Sequence, residues 1–134
     1  MLVYSKDKHV LLLERADVVG FWQSVTGALK VNESAAMCAA RELLEETGID
    51  AQPVDQQYSN RFEISGAWRS RYNPGDTHNA EHVFSVLLTV RQAVKLNPAE
   101  HTRFQWLSAS DAVVKASSST NQEAIKRVVL DAQV

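Results

Sequence analysis

Residues 34 to 48 restrict what this chain can fold into more than any other stretch. Ser34 carries a helix N-cap side chain, Gly48 can terminate a helix, and Ala36, Met37, Ala40, Leu43 and Leu44 recur between them at helical spacing. At about 100° per residue, Glu42, Glu45 and Glu46 fall within about a third of the circumference and the apolar residues take the opposite side. The expected helix therefore has one face to bury and one acidic face. Like charges at these spacings cost ~0.2–0.5 kcal/mol per pair, and acids in the last turn oppose the carbonyl end of the helix dipole. The carboxylates stand where an isolated helix tolerates them least. Spacing alone leaves two readings open: a solvated glutamate face, or a set of oxygen ligands for a hard divalent cation such as Mg²⁺.

Around this helix the sequence reads mainly as strands. Leu2–Tyr4 and Val10–Leu13 are joined by the charged turn Ser5–Lys8, and Phe21–Val25 runs toward Gly27. Later strand-like runs cover Gln57–Ile64, His82–Val90 and Arg103–Leu107, followed by a helix over Ala109–Ala116. Thr120 and Glu123 form a capping box that opens a closing helix with Ala124, Ile125, Val128 and Val129 on one face. Strands and helices mix, so the expected class is α/β with a mixed sheet.

Bulk properties narrow the functions. A length of 134 residues fits one domain, and no apolar run approaches the ~18–20 residues of a membrane helix. Cys38 is the only cysteine, which excludes an internal disulfide, and Met1–Lys8 lacks the order of a signal peptide. A soluble, cytoplasmic protein is expected. The net charge of −2 excludes a broad basic footprint for nucleic acid and leaves any anionic substrate to a cation or a few arginines.

Gly27, Glu33, Arg41, Glu42, Leu43, Glu45, Glu46, Gly48 and Ile49 stand at the defined positions of the Nudix box, and on these residues the chain resembles the Nudix family. The resemblance implies an α/β/α sandwich around a mixed β-sheet, formed by residues 1–134 as one domain with the box at 27–49. It implies a loop-helix-loop whose acids bind Mg²⁺, or Mn²⁺ in its place, with Arg41 orienting a glutamate and Gly27 and Gly48 permitting the flanking turns. The implied activity is hydrolysis of a phosphoanhydride bond in a small-molecule triphosphate, with no nucleic acid, membrane or obligate protein partner. No Ser-His-Asp or Cys-His arrangement is legible. His9, His78, His82 and His101 lack the close pairings of zinc motifs and read as structural or surface residues, and Cys38 reads as a small packed side chain.

Outside the box, Val10–Arg15, Phe21–Gly27, Trp68–Gly75, and Glu100-His101 with Trp106-Leu107 resemble the bacterial branch of the family that acts on dihydroneopterin triphosphate in folate biosynthesis. Carried over by position, Glu42 and Glu46 hold metal, Glu100 adds a carboxylate from a loop beyond the helix, and Glu45 supports them. Arg15 and Thr26 then touch substrate, Phe62, Glu63, Ile64 and Ser65 line the pterin end, and Ser118 makes a polar contact near the closing helix. Each has an ordinary alternative: Arg15 ends a strand, Thr26 satisfies a turn, Ser118 caps a helix. Trp22, Trp68 and Trp106 read as core or pocket wall. Related chains carry a further segment before the first strand, so that strand is read as truncated or starting late at Met1. Two competing functions remain: a general deoxynucleoside or oxidised-nucleotide pyrophosphatase, and a nucleotide-binding module without catalysis.

Overall fold

The run Val10–Leu13 shows no polar alternation, which is the pattern of a strand buried on both faces. The computed structural model describes residues 1–26, 30–63 and 78–130, with the backbone alone for 58–63 and 78–81. It places the run in the middle of β2 (His9–Arg15), every residue from Val10 to Glu14 being buried. Successive side chains point to opposite sides. Val10 and Leu12 join a core with Leu2, Trp22, Ala112, Ala124, Ile125 and Val129, while Leu11 and Leu13 join Val3, Val25, Leu43, Ile49 and Val86.

Among the described residues six strands form the sheet: β1 (Leu2–Ser5), β2, β3 (Trp22–Gln23), β4 (Val54–Glu63), β5 (His78–Leu88) and β6 (His101–Ser108). Their order is β3-β2-β1-β5-β4, and β6 pairs with β2 from His9 to Arg15. The β1–β5 pair is parallel and the others are antiparallel, so the sheet is mixed. Helix α1 (Ala35–Thr47) covers one face through Leu43. Helices α2 (Ala109–Lys115) and α3 (Ser119–Ile125), continued by a π-helical turn at Lys126–Leu130, cover the other. This is the expected α/β sandwich. Burying each core leucine contributes roughly 1.5–3 kcal/mol.

Three sequence expectations are corrected. The third strand is only two residues long, because Ser24 turns away: its N–H donates to Asn121 Oδ1 at 2.9 Å and its Oγ accepts from Asn121 Nδ2 at 2.9 Å. The closing helix is capped by Ser118, whose Oγ accepts from Asn121 N at 3.1 Å, and not by Thr120 two residues later. The third correction, the rotation of α1, concerns the site itself.

Candidate metal centre

Both ends of α1 are built as the sequence suggests. Ser34 Oγ accepts from Met37 N at 3.1 Å, and Gly48, with φ of 75°, donates its N–H to Leu44 O at 2.9 Å. A Cβ at Gly48 would also come within 3.2 Å of Lys95 Cβ, so the turn admits little else. The faces are not distributed as expected. Met37 and Leu44 are 59% and 52% exposed, whereas Cys38, Ala39, Leu43, Thr47 and Glu46 are buried. The helix is turned so that Glu46, 2% exposed, points inward beside Leu43, and the apolar volume that would have packed at Met37 and Leu44 is left in solvent. Such a rotation forgoes hydrophobic stabilisation and buries an acid. A fold optimised for stability alone would do neither.

Arg41 organises the acids on the outer edge. Its Nε and Nη2 donate to the two carboxylate oxygens of Glu33 at 2.6 and 2.9 Å, and its Nη1 donates to Glu42 at 2.7 Å and Glu45 at 3.1 Å. The bidentate guanidinium holds Glu33 down at about 2, well below the usual carboxylate range, with the Lys30 N–H assisting. Glu42 is pushed the other way by burial, against the pull of Arg41.

Deeper in, Glu46 meets two groups from the start of β6. Asn97 accepts the Ala99 N–H on its side chain and the Glu100 and His101 N–H groups on its carbonyl, while Glu100 O receives the Ala16 N–H at 2.8 Å. This turn carries the exposed Glu100 and the buried His101 to the end of α1. One ligand atom from each of Glu46, Glu100 and His101 lies within 4.8 Å of the others. Burial first, then the charges of Glu42 and Glu100, raise Glu46 to about 9. Burial lowers His101. Glu46 is thus a neutral acid and His101 a neutral imidazole at pH 7, and their 3.7 Å approach is not an ion pair.

A divalent cation fits these residues. Glu46 Oε2 is buried without a hydrogen-bond partner, and carboxylate oxygens from two separate elements converge there, which is the donor chemistry that Mg²⁺ and Mn²⁺ accept. Glu42, Glu46 and Glu100 would hold the ion, with Glu45, half exposed on the Arg41 side, in support.

The other expected site residues are spread around this centre. Arg15 ends β2, holds Asp17 through Nε and Nη2 at 2.7 and 2.8 Å, and lies near enough to Glu46 and Glu100 to feel their charges. Thr26 is exposed next to the buried Val25. Ser118 spends its Oγ on the α3 cap. Phe62 and Glu63 lie on the backbone of β4, and Ile64, Ser65, Gly27 and the Trp68–Gly75 stretch fall outside the described residues. Trp22 is core, 4% exposed, and Cys38 is a packed thiol raised by its burial. Sequence reasoning missed His101 and Gln23, whose Nε2 lies 3.3 Å from His101 Nε2. The adjacency of Glu100 and His101 was the available signal, but nothing in the sequence shows that the imidazole turns inward.

Comparison with known proteins places these features. The model of the NUDIX domain family matches residues 1–129. The dihydroneopterin triphosphate diphosphatase of Escherichia coli (strain K12) is 37% identical over 98% of this chain and 91% of its own length. The Haemophilus influenzae protein of the same name is 38% identical over 98% of this chain and 85% of its own. The solved structure of the E. coli dihydroneopterin triphosphate pyrophosphohydrolase matches with a TM-score of 0.92 at 37% identity, covering 97% of this chain and 92% of that one. With the family match and the likeness over nearly the whole chain, this chain belongs to the Nudix family of hydrolases.

Proposed function

We propose that this chain is a cytoplasmic, single-domain enzyme that uses Mg²⁺, or Mn²⁺ in its place, to hydrolyse dihydroneopterin triphosphate to the monophosphate and pyrophosphate in folate biosynthesis. It works without nucleic acid or an obligate protein partner. The observation that carries the chemistry is the buried, partnerless Oε2 of Glu46 among the converging acids. The substrate rests on the likeness to two diphosphatases over nearly the whole chain.

When bound, the cation supplies charge neutralisation on the polyphosphate and an acidified water. The chain's own residues do the rest. Glu42, Glu46 and Glu100 hold the ion, and Arg41 keeps Glu42 and Glu45 in place through its fork on Glu33. Arg15 draws the polyphosphate toward the acids. A water oxygen bonds to phosphorus, the bridging P–O bond breaks, pyrophosphate leaves, and the water proton passes to a carboxylate of the cluster. Thr26, Ser118 and the Phe62–Ser65 segment contact the ring end, where a hydrogen bond left unmade penalises a wrong ring strongly.

The test is a panel of pterin and nucleoside triphosphates with purified protein and Mg²⁺. The expected result is a higher kcat/KM for dihydroneopterin triphosphate than for any standard nucleoside triphosphate, with pyrophosphate as product. A better rate with dATP or an oxidised guanine nucleotide overturns the substrate and leaves the reaction class standing. Orthophosphate as the product overturns the reaction class.

A further inference from the structure

Gln23 and His101 have no part in the chemistry described so far, yet both are buried and they form a line that ends on Glu46. Gln23 is on β3, held in register with Leu13 of β2, and His101 opens β6, paired with Arg15. His101 is 2% exposed and Gln23 9%. The Gln23 Nε2 is 3.3 Å from His101 Nε2, and on the far side of the ring Nδ1 is 3.7 Å from Glu46 Oε1 with no hydrogen-bond partner.

With its NH₂ placed toward the ring Gln23 donates, which makes the facing imidazole nitrogen the bare acceptor. The ring proton is then on Nδ1, the nitrogen that lies 3.7 Å from Glu46 Oε1. The other end of the line demands the same arrangement, because a Glu46 that ligates a cation is ionised and can only accept. A protonated Nδ1 cannot itself ligate metal, and a hard cation prefers the carboxylates beside it. We infer that His101 is a positioning residue: Gln23 fixes its Nδ1–H tautomer, and that N–H holds and orients the Glu46 carboxylate for the divalent cation. The inference rests on the metal-centre reading above but not on the identity of the substrate.

The experiment reads metal binding and the ring itself as well as turnover. Mn²⁺ affinity is measured by electron paramagnetic resonance for wild type, His101→Leu, His101→Asn and His101→Gln. Asn places its amide nitrogen where Nδ1 stands and Gln places it where Nε2 stands. The expected result is a loss of roughly 10–100-fold in affinity for Leu and Gln, recovered to within about threefold by Asn. Imidazole ¹⁵N spectra of the wild type, assigned by the signal that His101→Asn lacks, should show a protonated Nδ1 and a bare Nε2. Gln23→Glu, which offers an acceptor in place of the donor, should move the proton to Nε2 and weaken Mn²⁺ binding.

A wild-type ring protonated at Nε2, or His101→Leu with wild-type Mn²⁺ affinity, overturns the inference. So does direct ¹⁴N coupling from His101 to bound Mn²⁺, which makes the ring a ligand. If His101→Leu does not fold, the wild-type spectrum and Gln23→Glu still decide. A chain that behaves as expected in all of this but cleaves no triphosphate overturns the proposed function and leaves the positioning role intact. Turnover without the Gln23–His101 effects does the reverse.

Discussion

Glu33 and Glu46 are two poorly exposed glutamates of the same box, attached to opposite sides of the same helix system, and their chemistry differs in every respect. Glu33 is clamped by two Arg41 nitrogens and a backbone N–H and sits at about 2. Glu46 has no such clamp: burial, then the charges of Glu42 and Glu100, raise it to about 9, against a weaker pull from the Met1 ammonium. A buried carboxyl with its partners made is a structural fastening. One left with an orphan oxygen is a cost to the fold that a bound cation would offset. Glu14 repeats the first pattern on the opposite side of the molecule. Arg103 donates to it at 2.7 and 3.1 Å, Gly20 N at 2.9 Å, and it too is held at about 2.

The contrast is most easily broken by Glu46→Gln. Turnover should fall by at least about a hundredfold, because one ligand charge is lost. Melting in EDTA at pH 8 should rise, since the wild-type carboxyl gains by ionising on unfolding and the amide does not. Rate and stability are expected to move in opposite directions. Near-normal turnover, or a lower melting temperature in EDTA, would remove Glu46 from the metal centre.

Glu33→Gln acts on the clamped carboxylate. It takes a charge from the Arg41 fork, so melting should fall, and because the same guanidinium holds Glu42 and Glu45, turnover should drop by roughly 10–100-fold. A variant that melts lower but keeps its rate would make Arg41 a stabilising group alone. Glu100→Gln lies between the two patterns, an exposed acid on the Asn97 turn. It should cost at least about tenfold in turnover at saturating Mg²⁺, or ~1.4 kcal/mol of barrier, with melting unchanged. A smaller loss would return Glu100 to the class of ordinary surface glutamates.

These residues also show where sequence reasoning ran out. The two-sided core was legible in Val10–Leu13 and the limits of α1 in Ser34 and Gly48, because capping and periodicity are local. The rotation of α1 was not. Ala36, Met37, Ala40 and Leu44 made a better apolar stripe on paper than the one that Cys38, Ala39, Leu43 and Thr47 supply, and only the arrival of β6 with Glu100 and His101 shows why Glu46 faces in. The resemblance to the Nudix box pointed to Glu42, Glu45 and Glu46 as metal ligands; the structure turns Glu46 inward beside Glu100 and leaves Glu45 on the Arg41 side. The inward turn of His101 was not legible because its neighbours there, Gln23 and Glu46, are far from it in sequence. Likewise the cap moved from Thr120 to Ser118 because Asn121 is also needed by Ser24, a tertiary demand invisible in the local pattern.

The smallest expected effect is also the most specific to the comparison. Glu46 has a folded value of about 9 against 4.5 for the free group, so between those limits the folded chain keeps a proton that the unfolded chain has released. Its contribution to stability is therefore fully present below about 4.5 and lost as pH rises toward 9. Glu33 and Glu14 have folded values of about 2, so theirs is fully present above about 4.5 and lost as pH falls toward 2. The groups facing Glu46 that enter the same balance are Glu42 on α1, Glu100 and His101 at the start of β6, Arg15 on β2 and the Met1 ammonium. Denaturant unfolding in EDTA should show wild type and Glu46→Gln close together at pH 5 and separating steadily as pH rises to 8, with the variant more stable. Saturating Mg²⁺ should raise the wild-type melting temperature more at pH 8 than at pH 6, because metal uptake must displace the Glu46 proton. In Glu46→Gln that pH dependence should vanish, while the acid limb set by Glu33 and Glu14 stays where it was. Parallel curves for the two proteins from pH 5 to 8 would mean that Glu46 ionises as freely as a surface acid, and the contrast with Glu33 would then be one of partners without consequence for the energy.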